Sequence, residues 1–361
     1  MNTIVITGGA GFVGSALAVY IKQGIEDCRV IAFDNLRRRG SERNLPKLNR
    51  FGVEFRHGDI RNWEDLEEFP ANVDCVIEAS AEASVQAGLS GSPQYLIQSN
   101  LNGAINCLEL ARLKEVALIF LSTSRVYSIP SLRCLDLLES ESRMELKNYQ
   151  SISGIGTHGV NESFPVSATR SLYGATKLSA EMFIEEYNSF YGTPSVINRC
   201  GVISGPGQFG KVDQGVYSLW VVNHVLREPL SYTGFGGTGK QVRDLLHIDD
   251  LCDAIFAQLE VLHGLNADIF NLGGGMSNAV SLKEYTDICR RYSGNRVSID
   301  SVVDTNIVDI PWYVTDSRKF IDRFNWRPTR TVEHIVSDIC NWLSNNKALQ
   351  QSTFRLGRNA T

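Results

Sequence analysis

The sequence predicts an α/β protein built on a doubly wound parallel sheet. Short β-branched runs alternate with helix-like segments through the first half, the runs are almost continuously apolar, and a glycine-rich turn joins the first run to the first helix. A strand covered on both faces loses the polar and apolar alternation that a half-exposed strand keeps, so unbroken apolar runs point to a buried parallel sheet.

Thr3–Thr7, Arg29–Phe33, Val53–Phe55, Asp74–Ile77 and Ala117–Ser122 read as strands, with Gly14–Gln23, Trp63–Phe69 and Asn102–Leu113 as helices between them. Such repeated β-α units wind into a sheet with helices on both sides. The second half changes character. A Ser/Gly/Asn-rich loop, Ser151–Pro165, precedes a helix from Tyr173 to Tyr191, a strand over Ser195–Arg199, a long glycine-rich loop to Gly215, and a helix ending near Arg227. Gly234–Gly239 and Gly273–Gly275 read as turns at the rim of a cleft. The expected division is a nucleotide-binding domain over 1–198 with returns near 241–270, a smaller α/β substrate lobe over 199–240 and 271–345, and a polar tail over 346–361.

Composition excludes several classes. The 361 residues are 43% apolar and 21% charged, too apolar and balanced for disorder. The longest apolar run, Val116–Leu121, falls far short of the roughly 20 residues that span a bilayer. The N-terminus shows no basic region or cleavable apolar helix, so a cytoplasmic protein is expected. A net charge of −5 argues against nucleic acid or anionic membrane as partners. The eight cysteines form no C-x-x-C pair, and burial is expected for most. The six histidines show no metal-ligand spacing, so no metal is expected.

Thr7-Gly-Gly-Ala-Gly-Phe-Val-Gly14 opens directly into a helix. Gly8 suits a tight turn, Gly11 lets backbone N–H groups approach a pyrophosphate, and Gly14 lets the helix pack closely on its strand. The helix N-terminus then presents unpaired donors to the anion. Asp34 ends the second strand about 20 residues on, where an acid accepts from the adenosine ribose hydroxyls and repels a 2′-phosphate. NAD is therefore the expected cofactor, although Arg37, Arg38 and Arg39 are the residue type that would bind a 2′-phosphate. Asp59 ends the third strand on the same edge, within reach of an adenine amino group.

Two elements add chemistry. Tyr173 and Lys177 stand four apart on one helix face. A phenol titrates near 10, so service as a base near neutrality needs about 3 units of depression, which a neighbouring ammonium and a nicotinium charge can supply. Ser122-Thr-Ser124 ends a buried strand, and a hydroxyl such as Thr123 there faces the ligand crevice.

With these motifs in place, the chain resembles the extended short-chain dehydrogenase/reductase superfamily of NAD-dependent nucleotide-sugar epimerases and dehydratases. The agreement runs in order through the glycine loop, Asp34-Asn-Leu36, Gly58-Asp-Ile60, Asn100-Leu-Asn-Gly103, Thr123 with Val126-Tyr127, Tyr173-x-x-x-Lys177, Arg199, Gly205-Pro-Gly-Gln208, Gly239-Lys-Gln-Val-Arg-Asp244, Phe270-Asn-Leu-Gly273 and Trp326-Arg-Pro328. Within that superfamily it is most similar to the CDP-tyvelose 2-epimerases, through Phe33-Asp-Asn-Leu-Arg37, Asp213-Gln-Gly215 and the long excursion between Tyr127 and Tyr173.

The resemblance implies a Rossmann-type NAD-binding domain and a catalytic trio of Thr123, Tyr173 and Lys177. It implies a cofactor-binding set of Gly8, Gly11, Phe12, Val13, Gly14, Asp34, Asn35, Arg37, Asp59, Ile60, Ala79, Ala81 and Asn100, with Tyr173 and Lys177. It implies Ser124, Arg125, Arg199, Gln208, Gln214 and Arg243 around a nucleoside-diphosphate sugar, and a homodimer or homotetramer. The dehydratases carry Asp-Glu where this chain has Ser124-Arg125, which argues against 4,6-dehydration. The usual His-x-Ala after the fourth strand reads Glu78-Ala-Ser80. The expected activity is epimerisation at C2 of a nucleoside-diphosphate hexose, through transient oxidation to a keto-sugar and hydride return. A 4-epimerase is the alternative, followed by a dehydratase or decarboxylase and a non-catalytic NAD-binding sensor.

Overall fold

Seven parallel strands form the central sheet: β1 (Thr3–Thr7), β2 (Arg29–Asp34), β3 (Glu54–His57), β4 (Cys75–Glu78), β5 (Ala117–Thr123), β6 (Ser195–Cys200) and β7 (Asp268–Leu272). Their order is β7-β6-β5-β4-β1-β2-β3. The chain builds outward from β1 through β2 and β3, then crosses back to place β4 on the other side of β1. Connections leaving β1 and β4 diverge, which opens a crevice at their carboxyl ends. The computed structural model describes residues 1–89, 91–210 and 214–346. Asp213 and the tail from residue 347 onward lie outside the described residues.

Alternate side chains along each strand feed two cores. Ile4, Ile6, Val30, Ala32, Cys75 and Ile77 pack against Leu17 and Ile21 of α1 (Phe12–Gly24). Val5, Ile31, Phe33, Val76 and Phe120 pack against Cys107 and Leu108 of α2 (Gly103–Lys114) and Ala180 and Ile184 of α3 (Leu172–Tyr191). This two-sided burial is why the strands read as unbroken apolar runs. Leu251 and Ile255 of α4 (Ile248–Leu259) complete the first of these cores.

A second sheet joins Val202–Ser204, Val242–His247 and Ala279–Ser281, with Trp312–Tyr313 pairing onto Val242–His247. Helices Val216–Leu226, Leu282–Ser293 and Val332–Asn345 cover it through Tyr217, Val221, Tyr285, Ile335 and Val336. Sequence reading placed residues 241–270 with the first lobe. The structure puts Val242–His247 in the second sheet, and the chain rejoins the first lobe at α4. The Ser151–Pro165 segment, read as loop, contains a small hairpin of Ile155–Gly156 with Gly159–Val160. Six of the eight cysteines are buried, and Cys134 is exposed.

Asp250 links the lobes. Its fully buried carboxylate accepts from Thr329 N (3.1 Å), Thr329 Oγ1 (3.0 Å), Arg330 N (3.1 Å) and Arg330 Nη1 (2.6 Å), so α4 holds the segment that leads into the last helix. Removing a carboxylate that satisfies several buried donors leaves them unpaired. Asp250→Ala is expected to lower the unfolding free energy by about 3–5 kcal/mol, read as a shifted urea midpoint.

Candidate active site

The crevice between the lobes is a cleft of about 750 Å³. Its floor on the first lobe begins with the turn after β1. Gly8 has φ +64°, and a Cβ there would sit 2.8 Å from the Ala79 carbonyl oxygen. A Cβ on Gly14 would lie 2.2 Å from the Gly8 carbonyl oxygen, so any side chain would push α1 off its loop. Gly11 caps α1 without a side-chain hydrogen bond, which leaves the first-turn N–H groups of α1 facing the cleft. Gly8, Gly11, Phe12, Val13 and Gly14 all line it. This cradle of backbone donors at a helix N-terminus fits a dinucleotide pyrophosphate.

Asp34 organises the loop itself. Its carboxylate accepts from Ala10 N (3.1 Å) and Leu36 N (2.8 Å). Burial pushes the carboxyl above its usual range, and the N–H groups of Leu36, Ala10 and Gly11 oppose that. Asn35, Asp59 and Arg61 form a cluster beside it. Asp59 accepts from Arg61 Nη2 (2.6 Å) and Nε (2.9 Å) and from Asn35 Nδ2 (2.9 Å). Burial pushes the Asp59 carboxyl up, but the hydrogen bonds from Arg61 and Asn35 outweigh it and bring it down to about 2. Arg37 stacks its guanidinium 4.0 Å from the Tyr95 ring. Of the three consecutive arginines, Arg38 reaches across to Gln214 and to the Phe209 carbonyl (3.3 Å).

Asp34, Asn35, Arg37, Asp59 and Ile60 surround the outer end of the first lobe and do not line the cleft. Asn100 does not reach it either. Fully buried in the turn before α2, it donates to the Glu82 carbonyl (3.0 Å), accepts from Glu82 N (2.8 Å) and bridges to Thr176 (3.4 Å). It braces the loop after β4, whose Ala79 and Ala81 do line the cleft.

The chemical groups converge from β5, the turn that follows it, and α3. β5 delivers Thr123, followed by Ser124 and Arg125, and the first turns of α3 bring Tyr173 and Lys177 to the same floor. Gly174 permits this approach, since a Cβ there would lie 2.1 Å from the Arg125 carbonyl oxygen. Burial pushes the Tyr173 phenol up, the Lys177 charge and a hydrogen bond with Thr123 pull it back, Cys200 raises it and Arg125 lowers it. Lys177 donates to Glu78 Oε2 (3.1 Å) and lies 4.4 Å from the Phe120 ring centroid. Glu78 is a group that sequence reading noted only as a departure from a motif. Its position at the end of β4, beside the strand that ends in Thr123, was the available signal.

The opposite wall carries Gln208, Gln214 and Arg243. Arg243 donates to the carbonyls of Val242 (2.7 Å) and Ile310 (2.6 Å) and pairs with Asp309 (3.2 Å). Arg125 donates from its guanidinium to the Val308 carbonyl (3.3 Å) and from its backbone N to Thr123 Oγ1 (3.2 Å); burial first and then neighbouring Arg243 bring its guanidinium down to about 10. Arg199, expected around the substrate, does not line the cleft. It lies behind the floor, buried against Glu181 through Nη2 to Oε2 (2.7 Å) and Nε to both carboxylate oxygens (3.1 and 3.2 Å). Ser122 also donates to Glu181. The sequence could not separate an arginine aimed at phosphate from one neutralising an acid four residues along α3 from Lys177.

The sequence model of the NAD dependent epimerase/dehydratase family matches residues 4–273. The chain is 28% identical to CDP-paratose 2-epimerase of Salmonella typhi, covering 94% of this chain and 99% of that protein. It is 26% identical to UDP-glucuronate 4-epimerase of Thermodesulfobacterium geofontis, covering 98% and 99%. The structure of dTDP-glucose 4,6-dehydratase from Bacillus anthracis in complex with NAD superposes with a TM-score of 0.75 at 26% identity, over 96% of this chain and 98% of that one.

Two outcomes follow from this geometry. Arg199→Ala leaves the buried Glu181 without its counter-charge and is expected to lower stability by about 3–5 kcal/mol. Replacing both partners with leucine should recover most of that loss in urea denaturation, with NAD affinity unchanged. The Asp59 carboxyl titrates at about 2 when folded and near 3.9 when unfolded. The stability it contributes is complete above about pH 4 and disappears as the pH falls through about 2. Asp59→Asn should therefore cost about 2 kcal/mol at pH 7, with the gap to the parent protein closing in acid.

Proposed function

The chain belongs to the NAD-dependent epimerase/dehydratase family, and from that footing we propose that it inverts C2 of a nucleoside-diphosphate hexose. One observation carries the choice of epimerisation over dehydration. Among the described residues lining the cleft, Asp309 is the single carboxylate, and it is tied to Arg243. The two places after Thr123 hold Ser124 and Arg125, so no acid and base pair stands ready to expel a hydroxyl. The extended likeness to a CDP-paratose 2-epimerase supports C2 as the carbon.

Tyr173 takes the proton of the sugar hydroxyl on its phenolic oxygen. Thr123 orients that hydroxyl, and Lys177 holds the ribose next to the nicotinamide. The glycine loop from Gly8 to Gly14 would hold NAD, which would supply a reversible hydride acceptor for the same carbon. Arg243, with Gln208 and Gln214, grips the diphosphate end, where a guanidinium fork suits phosphate. The keto-sugar turns over between the two hydride transfers, and Tyr173 gives its proton back to the opposite-face alkoxide.

We also propose a homodimer or homotetramer assembled on α3, whose Met182, Phe183, Phe190 and Tyr191 are exposed large apolar or aromatic side chains. A helix showing that much apolar surface is suited to an interface.

Proton NMR of the purified protein with CDP-, UDP-, GDP- and dTDP-hexoses, without added cofactor, tests the reading. A new C2-inverted anomeric signal with one donor is the expected result. Inversion at C4 would move the reacting carbon, and loss of a C6 hydroxyl would replace the reading with dehydration. Tyr173→Phe should lower turnover by roughly 10²- to 10⁴-fold while NAD remains bound.

A further inference from the structure

Glu78 stands immediately behind the lysine of the trio. Its side chain is 1% exposed, and Oε2 accepts from Lys177 at 3.1 Å. Burial raises the Glu78 carboxyl and Lys177 pulls it back. Wherever the shared proton resides, on the amine or on the carboxyl, the pair has no net charge. A neutral pair offers a nearby phenol far less help than a lone ammonium would.

The other groups facing this cluster do not replace that charge. Cys107 of α2 and Cys200 at the end of β6 are buried thiols whose ionisation burial opposes. Glu181, one turn along α3, is neutralised by Arg199. Phe120 offers only a ring face. Lys177 first, then the hydroxyl of Thr123 and Arg125, favour the phenolate, yet burial still leaves the Tyr173 phenol raised.

We propose that Glu78 is a positioning residue that cancels the charge of Lys177, so that Tyr173 releases its proton only when the oxidised, cationic nicotinamide lies beside it. The proposal rests on the assignment of Tyr173 as the base. It gives the acidic position a purpose in a reaction that runs hydride out and back. The base is ionised when hydride leaves the sugar and protonated when hydride returns, so the proton and the hydride stay in step.

The test needs no sugar substrate. Tyrosinate absorbance near 295 nm is titrated in wild type minus Tyr173→Phe, which isolates one of the 12 tyrosines, with saturating NAD⁺ and with saturating NADH. In the wild type, the Tyr173 transition is expected at least one pH unit lower with NAD⁺ than with NADH. In Glu78→Gln, it should fall in both complexes. Equal transitions in the two wild-type complexes would overturn the proposal, even if the variant failed to fold. Unchanged transitions in a folded Glu78→Gln would overturn it too and leave Glu78 a purely structural partner. A wrong assignment of the base shows separately, as turnover that survives Tyr173→Phe.

Discussion

Covering a parallel sheet on both faces is the constraint from which the rest follows. Every side chain along β1, β4, β5 and β6 must enter a core, so polar chemistry is confined to the strand ends. Thr7, Glu78, Thr123 and Cys200 are the last residues of those four strands, and the chain makes its site from what comes at or just after them. The crossing from β3 back to β4 then separates the loops after β1 and β4 and supplies the space between them.

Helix α3 converts that geometry into a charged framework. Lys177 and Glu181 stand one turn apart on its buried face, and each meets an opposite charge from a central strand: Glu78 of β4 and Arg199 of β6. Buried pairs of this kind contribute little net stability compared with apolar packing, but breaking one is expensive. They therefore act as registration marks. The helix can neither slide nor rotate against the sheet without exposing a charge to a dry interior, and the phenol of Tyr173 is held over the end of β5 as a result.

Much of this was legible in the sequence, for identifiable reasons. The strands were visible because two-sided burial writes itself as unbroken apolar runs. The phosphate loop was visible because Gly8 and Gly14 answer to steric contacts that no side chain tolerates. The Tyr173 and Lys177 spacing survives folding because both lie on one helix. What escaped notice depends on tertiary pairing. Arg199 and Asn100 looked like ligand contacts, whereas one neutralises Glu181 and the other braces the Glu82 backbone. Glu78 looked like an irregular motif until its partner, 99 residues away, was known. Val242–His247 could not be assigned to a sheet because its neighbours, Val202–Ser204 and Ala279–Ser281, flank it from both directions along the chain.

That interleaving also bears on how the protein is made. During synthesis, β6 emerges long before β7, and Val242–His247 before Ala279–Ser281 and Trp312–Tyr313, so neither sheet can close early. The Asp250 latch waits still longer, for Thr329 and Arg330. Parallel pairings between distant segments form slowly and leave strand edges open meanwhile. A ribosome that stalls two-thirds of the way along this message releases a sheet with an uncovered edge and half a cleft, the kind of intermediate that holdase chaperones recognise and that aggregates without them.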